Sequence, residues 1–204
     1  MLDPFYPIVD SAAWIERLLP CGVKFVQLRI KDRPRDALRA EIAASRDLCR
    51  EAGAELVIND YWRDAIELGC GFVHLGQGDL AAADLAAIRG AGLQLGISTH
   101  DDAELALARA AQPDYIALGP IYPTLLKAMA FAPQGLARIG AWKKKIGAIP
   151  LVAIGGITLE RATGVFEAGA DVVSVVTDIV RAVDPEARAK AWVKATRQRA
   201  IARV

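Results

Sequence analysis

The sequence predicts an α/β protein, a single (β/α)8 barrel of the TIM type over residues 1–204, and three observations carry that expectation. Short runs rich in Val, Ile and Leu alternate with longer Ala-rich, helix-patterned segments, as βα units around a parallel sheet require. There are eight such runs: "FYPIVD", "VKFVQLR", "ELVIND", "GFVHLG", "LQLGIST", "DYIALGP", "PLVAIGG" and "DVVSVV". The 204 residues give about 25 per unit, at the short end of the barrel range of roughly 200 to 400.

Composition sets the outer bounds. A chain with 53% hydrophobic and 24% charged residues can bury one sizeable core, and no linker or low-complexity segment divides it. The formal net charge of +1 argues against a broad nucleic-acid surface, so charge has to be read locally. Cys21, Cys49 and Cys70 form no C-x-x-C pair, and they read as small buried side chains in a reducing compartment rather than disulfides or zinc ligands. No apolar run approaches the roughly 18 to 20 residues of a membrane span. The start "MLDPFYPIVD" lacks a signal-peptide pattern. A cytoplasmic protein with no membrane or nucleic-acid partner is expected, with homo-oligomerisation left open.

The helices follow from period and caps. "SAAWIERLL" places Trp14, Ile15, Leu18 and Leu19 on one face behind Ser11 as cap. "DLAAADLAAIRGAG" reads as one helix ending at a C-cap glycine. A last helix begins at Asp184-Pro185, and its Arg188, Lys190, Lys194, Arg197, Arg199 and Arg203 are expected on a solvated outer face. Lys143, Lys144 and Lys145 suit the negative end of a helix dipole.

Polar residues that look misplaced in buried strands make sense just after them, because barrel active sites are built from those βα loops. Arg29 and Lys31 follow the second strand, Asn59 and Asp60 the third, and Gln77 and Asp79 the fourth. Ser98 and His100 end the fifth; Pro123, Thr124 and Lys127 follow the sixth, Gly155 and Gly156 the seventh, Thr177 and Asp178 the eighth. Arg29 and Lys31, two apart, project to one side of an extended segment, with Gln27 a step deeper. Taken alone they could be surface cations; with Lys127 able to reach the same rim they suit a phosphate or diphosphate.

Asp60 and Asp79 end adjacent strands. Mg²⁺ typically takes one or two protein carboxylates and completes its shell with water and phosphate oxygens, so this pair predicts a Mg²⁺ site. Helix caps or an acid/base pair are the competing readings. "AIGGIT" lets backbone N–H groups approach a second anion, with Thr177 beside it, where barrels often hold phosphate. The first site suits a departing diphosphate and the second an anchoring phosphate. "GPIYPTLLKAMAFAPQG", about residues 120–135, is too long for a minimal turn and reads as a lid that keeps water from a reactive cation. His74 reads as a hydrogen-bonded structural histidine and His100 as a rim residue. No nucleophile-plus-base set stands out.

The stretches "YPIVD", "QLRIKD", "INDYWRDAI", "VHLGQGDL", "LGISTHDD", "YIALGPIYPT", "FAPQG" and "VAIGGIT" together resemble the thiamine phosphate synthase and thiazole tautomerase family, on its synthase branch, over nearly the whole chain. The resemblance implies a transferase. It would join 4-amino-2-methyl-5-hydroxymethylpyrimidine diphosphate to hydroxyethylthiazole phosphate with Mg²⁺, through a dissociative carbocation. By that resemblance Arg29, Lys31, Asn59 and Lys127 hold the diphosphate, with Thr124 also a substrate-binding position. Asp60 and Asp79 hold Mg²⁺, Gln27 and Ser98 face the pyrimidine and diphosphate, and Gly156, Val176 and Thr177 hold the thiazole phosphate. Arg29, Lys31, Lys127 and Ser98 are the implied catalytic set.

Two departures stand out. Where the family's lid reads close to Pro-Thr-x-Thr-Lys, this chain has Leu126 in place of a hydroxyl, and the usual acidic residue before Asp79 is Gly78. The alternatives are a tautomerase of the same family and a non-catalytic binder of thiamine precursors. Retention of Asp60 and Asp79 with Arg29 and Lys31 argues against the first; Leu126 is the main support for the second.

Overall fold

The computed structural model describes residues 1–124 and 131–202. Among the described residues the strands are β1 Phe5–Val9, β2 Phe25–Leu28, β3 Glu55–Asn59, β4 Phe72–Leu75, β5 Gln94–Thr99, β6 Tyr115–Leu118, β7 Leu151–Ile154 and β8 Val172–Val175. All are parallel in the order β1 to β8, and β8 closes on β1 through Phe5↔Val173 and Tyr6↔Ser174. Each lies inside one of the eight apolar runs expected from sequence.

The helices are α1 Ala12–Leu18, α2 Arg35–Glu51, α3 Trp62–Glu67, α4 Gln77–Ala82, α5 Leu85–Gly90, α6 Asp102–Ala110, α7 Gly135–Ile146, α8 Ala162–Glu167, α9 Thr177–Val180 and α10 Pro185–Ala202. Strand residues facing out, such as Val26, Leu28, Val73 and Leu75, pack against Ile15, Leu18, Leu38, Ile42 and Trp142 from this helical layer. Burying each such side chain is worth about 1.5–3 kcal/mol. Strand residues facing in form a separate cluster of Tyr6, Phe25, Val57, Phe72, Tyr115, Ala117, Val152 and Val172. Tyr6 stacks on Phe25 at 4.1 Å, and this cluster floors the barrel. Above it, the same inward alternation brings up Gln27, Asn59, His74 and Ser98, since residues paired in register share a side of the sheet.

Three helical expectations are corrected. The stretch from Asp79 to Gly92 is two helices: Ala83 is extended (ψ 142°), and Asp84 starts α5 by accepting from the Ala87 N–H at 2.9 Å. An Asp inside an Ala-rich run caps a new helix more readily than it continues an old one. Ser11 precedes α1 without a side-chain cap bond; the Ala12 N–H at the helix start is satisfied instead by Glu41 of α2 at 2.7 Å. Arg188 is no solvated outer-face charge. It is half-buried and binds Asp178 (2.9 and 3.0 Å) and Glu160 (2.8 and 3.0 Å). Asp178, which also accepts from the Trp192 indole at 2.7 Å, thereby joins α9 to α10 instead of facing the mouth. Cys21, Cys49 and Cys70 are free and buried, as expected. No described helix is long and apolar enough to cross a membrane.

Candidate active site

The rim after β2, β3 and β4 assembles from the inward alternation of those strands. Arg29 continues the inward series of Gln27, and its N–H still bonds Val9 of β1 at 2.8 Å, so the chain stays tied to the barrel as it leaves β2. Lys31 then reaches Asp60, Nζ to Oδ2 3.6 Å. Tyr61 ties the two loops together by donating to the Ile30 carbonyl at 3.4 Å. Asp60 sits in the left-handed region with φ 66°, its N–H bonded to the His74 carbonyl at 2.9 Å. That conformation is uncommon for a residue with a side chain, and here it turns the carboxylate over the mouth before α3 begins. Asp79 lies in the first turn of α4, which is anchored at its start by Gln77 donating to the Ser98 carbonyl at 2.6 Å.

The electrostatics show how close these groups are. Burial raises the Asp60 carboxyl above its ordinary value; the Asp79 charge and a hydrogen bond that protonated Asp60 donates to Asp79 raise it further, while Lys31 and Arg29 pull it down. The nearby Asp79 carboxylate thus disfavours charge on Asp60, a conflict that a divalent cation between them would relieve. Among the described residues no group of three or more His, Cys, Asp or Glu could hold a metal. A pair of neighbouring carboxylates is a donor set that would suit Mg²⁺ completed by phosphate oxygens and water.

Beneath the rim, His74 is 6% exposed, with Nδ1 2.8 Å from the Tyr115 hydroxyl and Nε2 2.8 Å from Ser98 Oγ. Burial, then the Arg29 charge, pushes its pKa down to about 4, so it is neutral near pH 7. The structural role expected of His74 holds. Asn59 is buried and in register with His74. His100 faces away from this set, its N–H and Nδ1 both bonded to Glu104 at 2.7 Å and its ring stacked on Phe131 at 4.3 Å.

Across the mouth, Gly156, Val176 and Thr177 follow β7 and β8, apart from the cations of β2. The Gly155-Gly156 pair answers a packing need as well as offering backbone donors. The Ile121 and Tyr122 N–H groups bond the carbonyls of Ile154 (2.9 Å) and Gly155 (3.0 Å), laying the loop after β6 onto the loop after β7. Val176 precedes α9 as its cap residue, and Thr177 begins that helix. Thr124 is the last described residue before the stretch expected from sequence to form a lid; Lys127 and Leu126 lie outside the described residues. The stem beyond them is closed by Gln134 and Gly135 N–H groups bonding Pro120 (2.7 Å) and Ile121 (3.0 Å).

The structure therefore gathers Gln27, Arg29, Lys31, Asn59, Asp60, Asp79 and Ser98 on one arc and Gly156, Val176 and Thr177 on the other. Residues not singled out from sequence complete the surroundings. Tyr6 and Tyr115 bring hydroxyls into the barrel; the inward alternation of "FYPIVD" and "DYIALGP" was the available signal. Arg161 donates to the Gly156 carbonyl at 2.7 Å and stacks over Tyr122. Ser174, a lone hydroxyl in an apolar strand, is buried with no hydrogen-bond partner for Oγ among the described residues.

A sequence model described as thiamine monophosphate synthase matches residues 5–179. A thiamine-phosphate synthase of Rhizobium etli is 63% identical over 195 residues, covering 96% of each chain. One of Salmonella dublin is 52% identical over 88% of this chain and 85% of its own. Among solved structures, a thiamine phosphate pyrophosphorylase from Pyrococcus furiosus superposes with a TM-score of 0.85 at 25% identity, covering 96% of both chains. With the match running from β1 into α9, and so through every loop of the rim, the chain belongs to the thiamine monophosphate synthase family.

Proposed function

We propose that this protein is a thiamine-phosphate synthase, a transferase that condenses 4-amino-2-methyl-5-hydroxymethylpyrimidine diphosphate with hydroxyethylthiazole phosphate, releasing diphosphate. The observation that carries the reading is the convergence of Arg29, Lys31, Asp60 and Asp79 on one rim, in a chain 63% identical to an enzyme of that name. A tautomerase or a passive binder is not favoured, since neither needs a cationic arc beside paired carboxylates.

In this reading Arg29, Lys31 and Lys127 bind the diphosphate and stabilise the negative charge that grows on it as the methylene C–O bond breaks and the electron pair departs with oxygen. Asp60 and Asp79 would hold Mg²⁺, which would supply further positive charge to the leaving diphosphate. Gln27 and Ser98 orient the pyrimidine and diphosphate, assisted by Asn59 and Thr124. Gly156, Val176 and Thr177 fix the thiazole phosphate on the opposite arc, so that the thiazole nitrogen lone pair forms the new C–N bond. The lid excludes water that would otherwise capture the cation. The substrates are small phosphorylated molecules, and the reaction is assigned to the cytoplasm.

The test is diphosphate release from purified protein given both substrates. Release that depends on Mg²⁺ and on both substrates is expected; none at any concentration tested would remove the reading. Leu126→Thr supplies a hydroxyl to the lid. It is expected to raise turnover by roughly tenfold or more, since a hydrogen bond to a charged group is worth about 1.5–3 kcal/mol. An unchanged rate would contradict a diphosphate contact at that position.

A further inference from the structure

We propose that Tyr6, Tyr115 and His74 are positioning residues, forming a one-way hydrogen-bond chain from Gln27 to Ser98 that leaves the Ser98 hydroxyl proton free to point into the mouth. The chain crosses the barrel interior from β2 to β5. Gln27 Nε2 donates to the Tyr6 hydroxyl at 2.7 Å, the Tyr6 and Tyr115 oxygens are 3.0 Å apart, and His74 joins Tyr115 and Ser98 at 2.8 Å on each side. Gln27, Tyr6, Tyr115 and His74 are 2%, 1%, 0% and 6% exposed, so water cannot readily substitute for any link.

Proton counting sets the direction. Burial holds both phenols above their ordinary pKa and holds His74 neutral near pH 7, so each of the three carries one transferable proton into the chain. Such a chain has only two self-consistent polarities, and its end groups choose between them. With the Gln27 N–H donating to Tyr6, the Tyr6 proton goes to Tyr115 and the Tyr115 proton to His74 Nδ1. His74 then carries its single N–H on Nε2 and donates to Ser98 Oγ, whose own proton is left over. The Gln27 carbonyl oxygen is likewise left for a donor.

A specific packing feature makes the chain possible. A Cβ on Gly96 would lie 2.1 Å from the Tyr115 ring, so the glycine in "LQLGIST" is what lets that ring lie across β5 and bring its hydroxyl within reach of both Tyr6 and His74. Tyr115 is in register with Gly96, which is in turn in register with His74.

The ends suit one molecule that offers a hydrogen-bond donor at one end and an anion at the other. An exocyclic amine meets the Gln27 oxygen, and a diphosphate oxygen meets the Ser98 hydroxyl. The ligand identity rests on the function proposed above; the protonation pattern belongs to the protein alone. Occupancy of either end would favour the same polarity, so the chain couples recognition of the base to recognition of the leaving group.

Two experiments test this separately. The chain has two histidines, so ¹⁵N-histidine labelling with a His100→Gln variant for assignment identifies the His74 signals. Two-bond ¹H–¹⁵N correlations on the ligand-free protein near pH 7 are expected to show the Nε2–H tautomer. The Nδ1–H tautomer would reverse the chain and overturn the proposal, whatever the enzyme assay gives. In kinetics, His74→Leu is expected to lower kcat/KM by roughly tenfold to a hundredfold. His74→Gln, which keeps a donor for Ser98, should recover most of that loss. In a Ser98→Ala background His74→Leu should cost little more, because both changes remove the same bond. An undiminished loss in that background would overturn action through Ser98. Absence of diphosphate release by the wild type would instead sink the proposed reaction and leave the tautomer result standing.

Discussion

Asp60→Asn is expected to lower turnover at least a hundredfold while raising the melting temperature of the ligand-free protein. The two effects share a cause. Asp60 is pushed above its ordinary pKa, 3.8, by burial and by the charge of Asp79. A carboxyl whose folded-state pKa is raised binds its proton more tightly folded than unfolded, so its contribution favours the fold below about pH 4 and is lost as pH rises through the folded value. At pH 7 the Asp60 carboxyl therefore works against the ligand-free fold. Asn removes the charge, nearly preserves the shape, and tolerates the left-handed φ of 66° better than most residues. A gain of about 1–2 °C in Tm is expected near neutral pH, shrinking towards pH 4. The loss of turnover follows from removing a charged group beside developing charge, where single-group deletions cost about 10²–10³ in kcat. Calorimetric melting from pH 4 to 8 together with steady-state assays checks both halves. Wild-type turnover, or a Tm lowered at pH 7, would contradict the assignment.

Gly156→Ala is expected to cost about 2–4 kcal/mol of stability, or roughly 5–15 °C in Tm for a chain of this length. The position is closed to a side chain in two ways. Its φ is 64°, and a Cβ would lie 2.4 Å from the Pro123 carbonyl oxygen and 2.9 Å from Tyr122 Cβ. Relief requires the loop after β6 to lift from the loop after β7, breaking the Ile121 and Tyr122 backbone bonds. The loss should therefore appear in KM for the thiazole phosphate as well as in melting. Gly78→Ala is the control: it lies in α4, nothing is within 4 Å of its Cβ site, and replacing a helical glycine there should be neutral or stabilising by up to ~1 kcal/mol. Equal melting of Gly156→Ala and wild type would show that the two loops are not packed as described.

Much of the barrel was legible because a strand buried on both faces has to be apolar outward while inward it can turn polar only near the rim. That is why "QLRIKD" and "VIND" declare the end of a strand and the beginning of a site at once. The Arg29 and Lys31 pairing follows from this alternation, whereas Asp60, one residue past inward-facing Asn59, joins it through its left-handed backbone. What sequence left hidden depends on contacts between distant segments. Tyr6 and Tyr115 look like core aromatics in isolation, and only the closing of β8 onto β1, which makes β1 and β6 face one another across the interior, turns them into a hydroxyl chain under Ser98. Gly156 reads as a phosphate-loop glycine, yet its close neighbour is the Pro123 carbonyl, 33 residues away in the chain. Arg188 looks like one more exposed helical cation until α10 folds back over Asp178. The break at Asp84 was available locally, and a strong apolar period outweighed the capping signal.

The central claim is that Arg29, Lys31, Asp60 and Asp79 form one metal-assisted diphosphate site. Calorimetric titration of inorganic diphosphate into the wild type, Asp60→Asn and Asp79→Asn, each with and without Mg²⁺, measures it most directly. The account predicts binding to the wild type that strengthens at least tenfold with Mg²⁺, and loss of that Mg²⁺ dependence in both variants. Equal affinity in all three proteins, or binding indifferent to Mg²⁺, would contradict it.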